Sequence, residues 1–128
     1  MMARMATIVF VHAHPDDEAS QTSGSMALAS RRGDRVVCVY ATGGEHGMAA
    51  DDLGDATVTE YRRREAEASA QVTGTQRVAW LGYHDSGLTG WPQNDAPAAF
   101  VRADVDHAGL KLARILDEED ADVVVGYD

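Results

Sequence analysis

Four short apolar runs divide the chain: Ala6 to His12, Arg35 to Thr42, Arg77 to Gly82 and Ala121 to Gly126. Each is rich in valine or isoleucine and too short for an ordinary helix, so each is predicted as a strand. Their apolar residues follow one another instead of alternating with polar ones, which marks a parallel sheet covered on both faces. Longer segments with helical character lie between them. Asp17 to Arg32 is rich in alanine, serine and methionine and ends before Gly33, and Thr57 to Val72 is stopped by Gly74. Pro97 to Glu119 places Phe100, Val101, Val105, Leu112, Ile115 and Leu116 on one apolar face. Gly43 to Ala56 and Tyr83 to Ala96 are read as loops. Alternating strands and helices, joined by right-handed crossovers, predict an α/β fold: a Rossmann-like, doubly wound, mainly parallel sheet with helices on both faces. Ligands of such sheets bind outside the carboxyl ends of the strands, so the loops starting at Ala13, Gly43 and Tyr83 should share one rim.

The chain has 128 residues, enough for one compact core, and residues 1–128 are read as a single domain. Sheets of this class usually have more than four strands, and the sequence stops just after the fourth. The expectation is therefore the N-terminal portion of a larger domain. Eleven Lys+Arg against 21 Asp+Glu give a formal net charge of −10. That balance repels phosphate backbones and anionic lipid, and argues against a nucleic-acid or polybasic membrane role. No apolar stretch reaches the roughly 18 residues of a membrane span. Met1 to Met5 lead into a short apolar run without the form of a secretory signal, so a cytoplasmic location is expected. Cys38, alone in an apolar strand, is expected to be a small buried hydrophobe.

The most informative run, His14-Pro15-Asp16-Asp17-Glu18, leaves the first strand and opens the first helix. His14 and Asp17 are spaced to meet across a tight turn, and an imidazole with a carboxylate suits zinc. Asp16, between them, is placed to take a proton from water. A plain helix-capping role competes with this reading, because proline and acidic residues favour the first turn of a helix. Spacing alone leaves both open.

The run Phe10 to Glu18 resembles the opening signature of the PIG-L / LmbE-like de-N-acetylases. Thr42-Gly43-Gly44-Glu45 resembles that family's second rim loop, Tyr61-Arg62 with Glu65 its helical motif, and Leu81 to Leu88 its third rim loop. The matches fall in the family's order. The resemblance implies zinc (Zn2+) as cofactor, His14 and Asp17 as metal ligands and Asp16 as general base. It also implies Arg62 and Asp85 as substrate-binding residues, with Glu45 lining the same site. It implies metal-assisted removal of an acetyl group from an N-acetylglucosamine-containing small molecule or glycoconjugate. The family takes its third ligand, and a histidine that stabilises the oxyanion, from a run after the fourth strand. This sequence ends at Asp128, where that run is expected to begin.

The remaining signals have plainer readings. His12 is expected to be packed or hydrogen-bonded below His14, His46 and His84 to be rim-loop residues, and His107 to be surface. In Arg62-Arg63-Arg64 only Arg62 should turn inward, while Glu60, Glu65 and Glu67 offset the charge. Trp80 is expected in the core and Trp91 over the rim. Asp117 to Asp120 put four acidic residues against a helix C-terminus, where the dipole disfavours them. An enzyme is the leading functional reading, with a small-molecule amino sugar as substrate. The alternative is a catalytically incomplete sugar-binding or partner-completed module, associating through an exposed sheet edge as a homo-oligomer. Nucleotide binding is rejected, because the first turn carries acid where a pyrophosphate needs glycine-rich backbone.

Overall fold

The computed structural model describes residues 5–45 and 57–127. The four predicted strands form β1 (Thr7–His12), β2 (Arg35–Thr42), β3 (Arg77–Tyr83) and β4 (Val123–Val125). They make one sheet in the order β3-β2-β1-β4, with every pairing parallel. The chain winds outward from β1 to β3 and then crosses back to add β4 on the far side of β1. The switch in direction therefore falls at β1, and the crevice of a doubly wound sheet opens above such a point.

Alternation along the strands sorts the side chains into two cores. Val9, Val37, Val39, Ala41, Ala79 and Leu81 face one side, where Ile115, Leu112 and Leu116 of α4 (Val105–Glu119) cover them. Phe10, Val36, Cys38 and Tyr40 face the other, under α2 (Ser23–Arg31) and α3 (Val58–Thr73) through Met26, Ala29 and Ala66. Cys38 is buried as expected. Trp80 packs against this second core and lies against Tyr40.

Two expected helices differ in extent. The segment Asp17 to Arg32 is two helices, α1 (Asp17–Gln21) and α2, divided at Thr22 with φ −131°. The Thr22 hydroxyl is engaged with Nε2 of His12 at 2.8 Å, so a tertiary contact sets the break. The third helix begins at Val105 and not at Pro97. Asp104 caps it by accepting from the His107 amide at 2.8 Å, and the preceding residues form a short 3₁₀ turn, Phe100–Arg102. Val101 and Val105 consequently lie outside the apolar face assigned to them, 66% and 82% exposed. His107 is on the surface, as expected.

The acidic run at the end of α4 has a structural explanation. Glu119 receives Nε of Arg35 at 2.6 Å and Nη1 of Arg77 at 2.8 Å, and Glu118 receives Nη2 of Arg77 at 3.0 Å. The two arginines begin β2 and β3, so the network ties α4 to the amino-terminal edge of the sheet. Their hydrogen bonds hold the Glu119 carboxyl at about 2, below its ordinary 4.5. A depressed acid stabilises the fold above its unfolded pKa, and that contribution disappears as pH falls toward the folded value. Glu119→Gln should therefore cost about 1–3 kcal/mol near neutral pH. The difference from the parent should shrink between pH 4.5 and about 2. Denaturant unfolding at a series of pH values measures it, and a pH-independent difference would contradict the assignment.

Candidate active site

The exit from β1 makes a tight turn whose geometry depends on buried acid. Asp16 sits at φ +93°, in the left-handed region that non-glycine residues seldom adopt. Its amide donates to Oε2 of Glu18 at 3.0 Å. Glu18 is 2% exposed, and the buried Tyr40 hydrogen-bonds its carboxyl group. The first helical residues thus fold back on the turn and fix it. Asp16 occupies the N-cap of α1 without a side-chain cap hydrogen bond. Asp17 uses its carboxylate to accept from the His14 amide at 2.8 Å. Neither side chain makes a cap hydrogen bond to α1, although Asp17 and Glu18 stand in its first turn, where the helix dipole favours acid.

The three strand-end loops meet at a cleft of about 440 Å³. His14, Asp16, Asp17, Arg62 and Asp85, five of the residues singled out from the sequence, line it. Nδ1 of His14 stands 3.4 Å from Oδ2 of Asp17, and its Nε2 stands 3.3 Å from Oδ1 of Asp85. Arg62 projects inward from α3, its side chain 8% exposed, and Nη1 donates to Asp16 at 3.1 Å and to Glu65 at 2.9 Å. Arg63 and Arg64 are exposed, so the inward turn of Arg62 alone agrees with expectation. Loss of water around Asp16 in the cleft raises its pKa, opposed by the Arg62 charge and reinforced by Asp17, Glu18 and Glu65. Pro15, Leu88 and Trp91 give the same cleft an apolar side. Gly44 permits the close approach of the second loop: at φ +67°, a Cβ there would lie 3.1 Å from Pro15 Cδ.

The 3.4 Å between the His14 nitrogen and the Asp17 oxygen matches the spacing of neighbouring ligands around tetrahedral zinc, roughly 3.3 Å for bonds of about 2.0–2.1 Å. Among the described residues, no group of three or more His, Cys, Asp or Glu side chains assembles for a cation. The residues present fit two corners of a zinc site.

Several assignments change. Glu45 does not line the cleft; its carboxylate accepts the Asp85 amide at 2.8 Å and ties the second rim loop to the third. Asp85, expected to touch substrate, also stands beside His14 and closes its own loop by accepting from the Gly87 amide at 2.9 Å. His84 lies outside this cleft, and His46 lies outside the described residues. His12 is 3% exposed and hydrogen-bonded at both ring nitrogens, as expected. Burial lowers its pKa despite the opposing charges of Asp17 and Glu18. The role of Glu18 is not legible in the sequence. Glu18 stood in the signature run, but only the backbone geometry of Asp16 shows what it holds.

Comparison with known proteins follows the same outline. The family model for GlcNAc-PI de-N-acetylase (PIG-L) matches residues 9–128. A 1D-myo-inositol 2-acetamido-2-deoxy-alpha-D-glucopyranoside deacetylase of Thermobifida fusca (strain YX) is 38% identical, over 94% of this chain and 46% of its own length. The enzyme of the same name from Thermomonospora curvata is 40% identical, over 94% and 44%. The chain thus spans less than half the length of these relatives. Among solved structures, N,N'-diacetylchitobiose deacetylase from Pyrococcus horikoshii superposes with a TM-score of 0.71 at 26% identity, over 92% of this chain and 39% of that one. A 4-carboxy-2-hydroxymuconate hydratase from Pseudomonas putida KT2440 superposes with a TM-score of 0.70, also at 26% identity. The backbone likeness therefore does not separate deacetylation from hydration.

If Glu18 holds the turn, Glu18→Ala should destabilise the fold by about 1.5–3 kcal/mol, the range for hydrogen bonds to charged groups. Glu18→Gln, which still offers an acceptor to the Asp16 amide, should lose less. Denaturant unfolding measures both, and equal losses would contradict the role of the acceptor.

Proposed function

The chain belongs to the PIG-L family, and from that premise we propose that it is the N-terminal portion of a metal-dependent de-N-acetylase domain. The substrate class is an N-acetylglucosamine-containing small molecule or glycoconjugate. The observation that carries this reading is the convergence of His14, Asp16, Asp17, Arg62 and Asp85 on one cleft. The similarity to inositol-linked acetamidoglucose deacetylases at 38% and 40% identity supports this substrate class. It favours deacetylation over the hydration named for a structural neighbour of lower identity.

His14 and Asp17 would hold the ion, with further ligation from outside the described residues. Zinc, when bound, supplies a Lewis acid that polarises the acetyl carbonyl and lowers the pKa of water toward about 7. Asp16 takes the proton from the attacking water, and its raised pKa brings it closer to the optimum for a base near neutrality. The water oxygen bonds to the acetyl carbon, giving a tetrahedral intermediate. Asp16 returns the proton to the amide nitrogen as the C–N bond breaks, leaving acetate and a free amine. Arg62 orients Asp16 through its 3.1 Å contact and faces the polar groups of the substrate. Asp85 faces Nε2 of His14, an arrangement that favours a proton on that nitrogen and leaves Nδ1 to the ion. Leu88 and Trp91 offer an apolar side to the C–H face of the sugar ring. No described helix is long and apolar enough to cross a membrane.

A second reading has one observation in its favour: among the described residues only two of the metal donors are assembled. It is a sugar-binding module completed by a partner chain. Catalysis by the 128-residue chain alone, abolished by a chelator, would exclude it.

At the length its source makes, the protein should lose zinc on His14→Ala or Asp17→Ala, measured by metal analysis. Asp16→Asn should keep zinc and lose activity, with roughly 10²–10⁴-fold slower turnover in amine-release assays. Unchanged turnover in Asp16→Asn would overturn the base assignment, and unchanged zinc in the other two would overturn the ligand assignment.

A further inference from the structure

Beneath the cleft runs a line of hydrogen bonds that the proposed chemistry does not use. Tyr127, two residues past β4, donates its hydroxyl to Oδ2 of Asp17 at 3.2 Å. The same phenol oxygen lies 2.9 Å from Nδ1 of His12 and receives the Ala13 amide at 3.4 Å. His12 Nε2 is 2.8 Å from the Thr22 hydroxyl. The edges of the His12 and Tyr127 rings also pack, with centroids 5.6 Å apart.

Donor counting gives this line a single direction. An ionised carboxylate only accepts, so the one phenolic proton belongs to the bond with Asp17. Nδ1 of His12 must then donate to Tyr127, which places the His12 proton on Nδ1 and makes Nε2 an acceptor. The Thr22 hydroxyl fills that acceptor. Its alternative acceptor, Met26 Sδ at 3.3 Å, is a weak one. Hydroxyl, imidazole, phenol and carboxylate are thus linked head to tail, from the break between α1 and α2 to the ligand pair.

We propose that Tyr127, backed by His12, is a positioning residue that sets the carboxylate of Asp17 for metal binding. The inference rests on Asp17 being a ligand. Two donors hold Oδ2, the Tyr127 hydroxyl and the His14 amide. Together they stop the carboxylate from rotating away from the His14 ring. Tyr127 reaches it from the end of β4, and His14 and Asp17 from the end of β1. The pairing of these two strands, Ile8 to Val123 through Phe10 to Val125, is therefore what brings the phenol into range. Partners of metal ligands that act in this way typically change affinity by roughly 10–100-fold when removed.

The test is zinc affinity, by competition with a chromogenic chelator, on the protein at the length its source makes. Tyr127→Phe keeps the ring and removes only the hydroxyl, at a residue 56% exposed. It should bind zinc roughly 10–100-fold more weakly, a loss that persists at temperatures where the metal-free parent and variant are both fully folded. His12→Asn should also weaken binding, and the double variant should bind no worse than Tyr127→Phe alone, because His12 acts through the phenol. Parent-like affinity in Tyr127→Phe overturns the inference and leaves the functional reading intact. Affinity lost only in step with metal-free stability also overturns it, since that is a structural role. A parent protein that binds no zinc overturns the functional reading and the inference together.

Discussion

The turn that carries Asp16 in a left-handed conformation is the constraint on which the rest of the site depends. Such a backbone costs on the order of 1–3 kcal/mol and persists only when its surroundings over-determine it. Here they include Glu18 accepting the Asp16 amide from below and Arg62 holding the side chain from α3. The turn also brings the amide of His14 onto Asp17, so the two proposed ligands are set by the same short stretch. A relaxed turn would uncouple the proposed base from the proposed ligands. Burying the carboxylate of Glu18 under α1, with Tyr40 as its partner, is tolerable because both groups are satisfied.

The electrostatics of the cleft follow from where each charge sits. Two aspartates, Asp17 and Asp85, flank the His14 ring, in a chain that is already acidic. Arg62 is the cation within hydrogen-bonding reach of Asp16, and Glu65 shares it. Burial is the main cause of the raised Asp16 pKa, and the neighbouring carboxylates of Asp17, Glu18 and Glu65 that add to it would also attract a divalent cation. The charge network at the opposite end of the sheet, Glu119 with Arg35 and Arg77, is structural: it braces α4, away from the cleft.

The fold was largely legible because apolar runs and helical periodicity are local signals. β1 through β4 appear where the β-branched runs stand, and the loops after β1, β2 and β3 share one rim. The five residues that line the cleft were legible because the signature run and its companions lie in those loops and on α3. The division at Thr22 was hidden because a contact with His12, ten residues earlier, sets it. The late start of α4 at Val105 was hidden because Asp104, as cap, competes with an apolar pattern that continues upstream. Tyr127 and Glu45 could not be placed from sequence, since each acts across strand pairings more than 30 residues apart in the chain.

The most direct test is to locate the metal. A crystal structure of the protein at its natural length, grown with zinc and measured at the zinc absorption edge, would show where the ion sits. An anomalous peak is expected within about 2.0–2.2 Å of both His14 Nδ1 and the Asp17 carboxylate. A peak bonded to neither residue, or to Asp16 in their place, would contradict it.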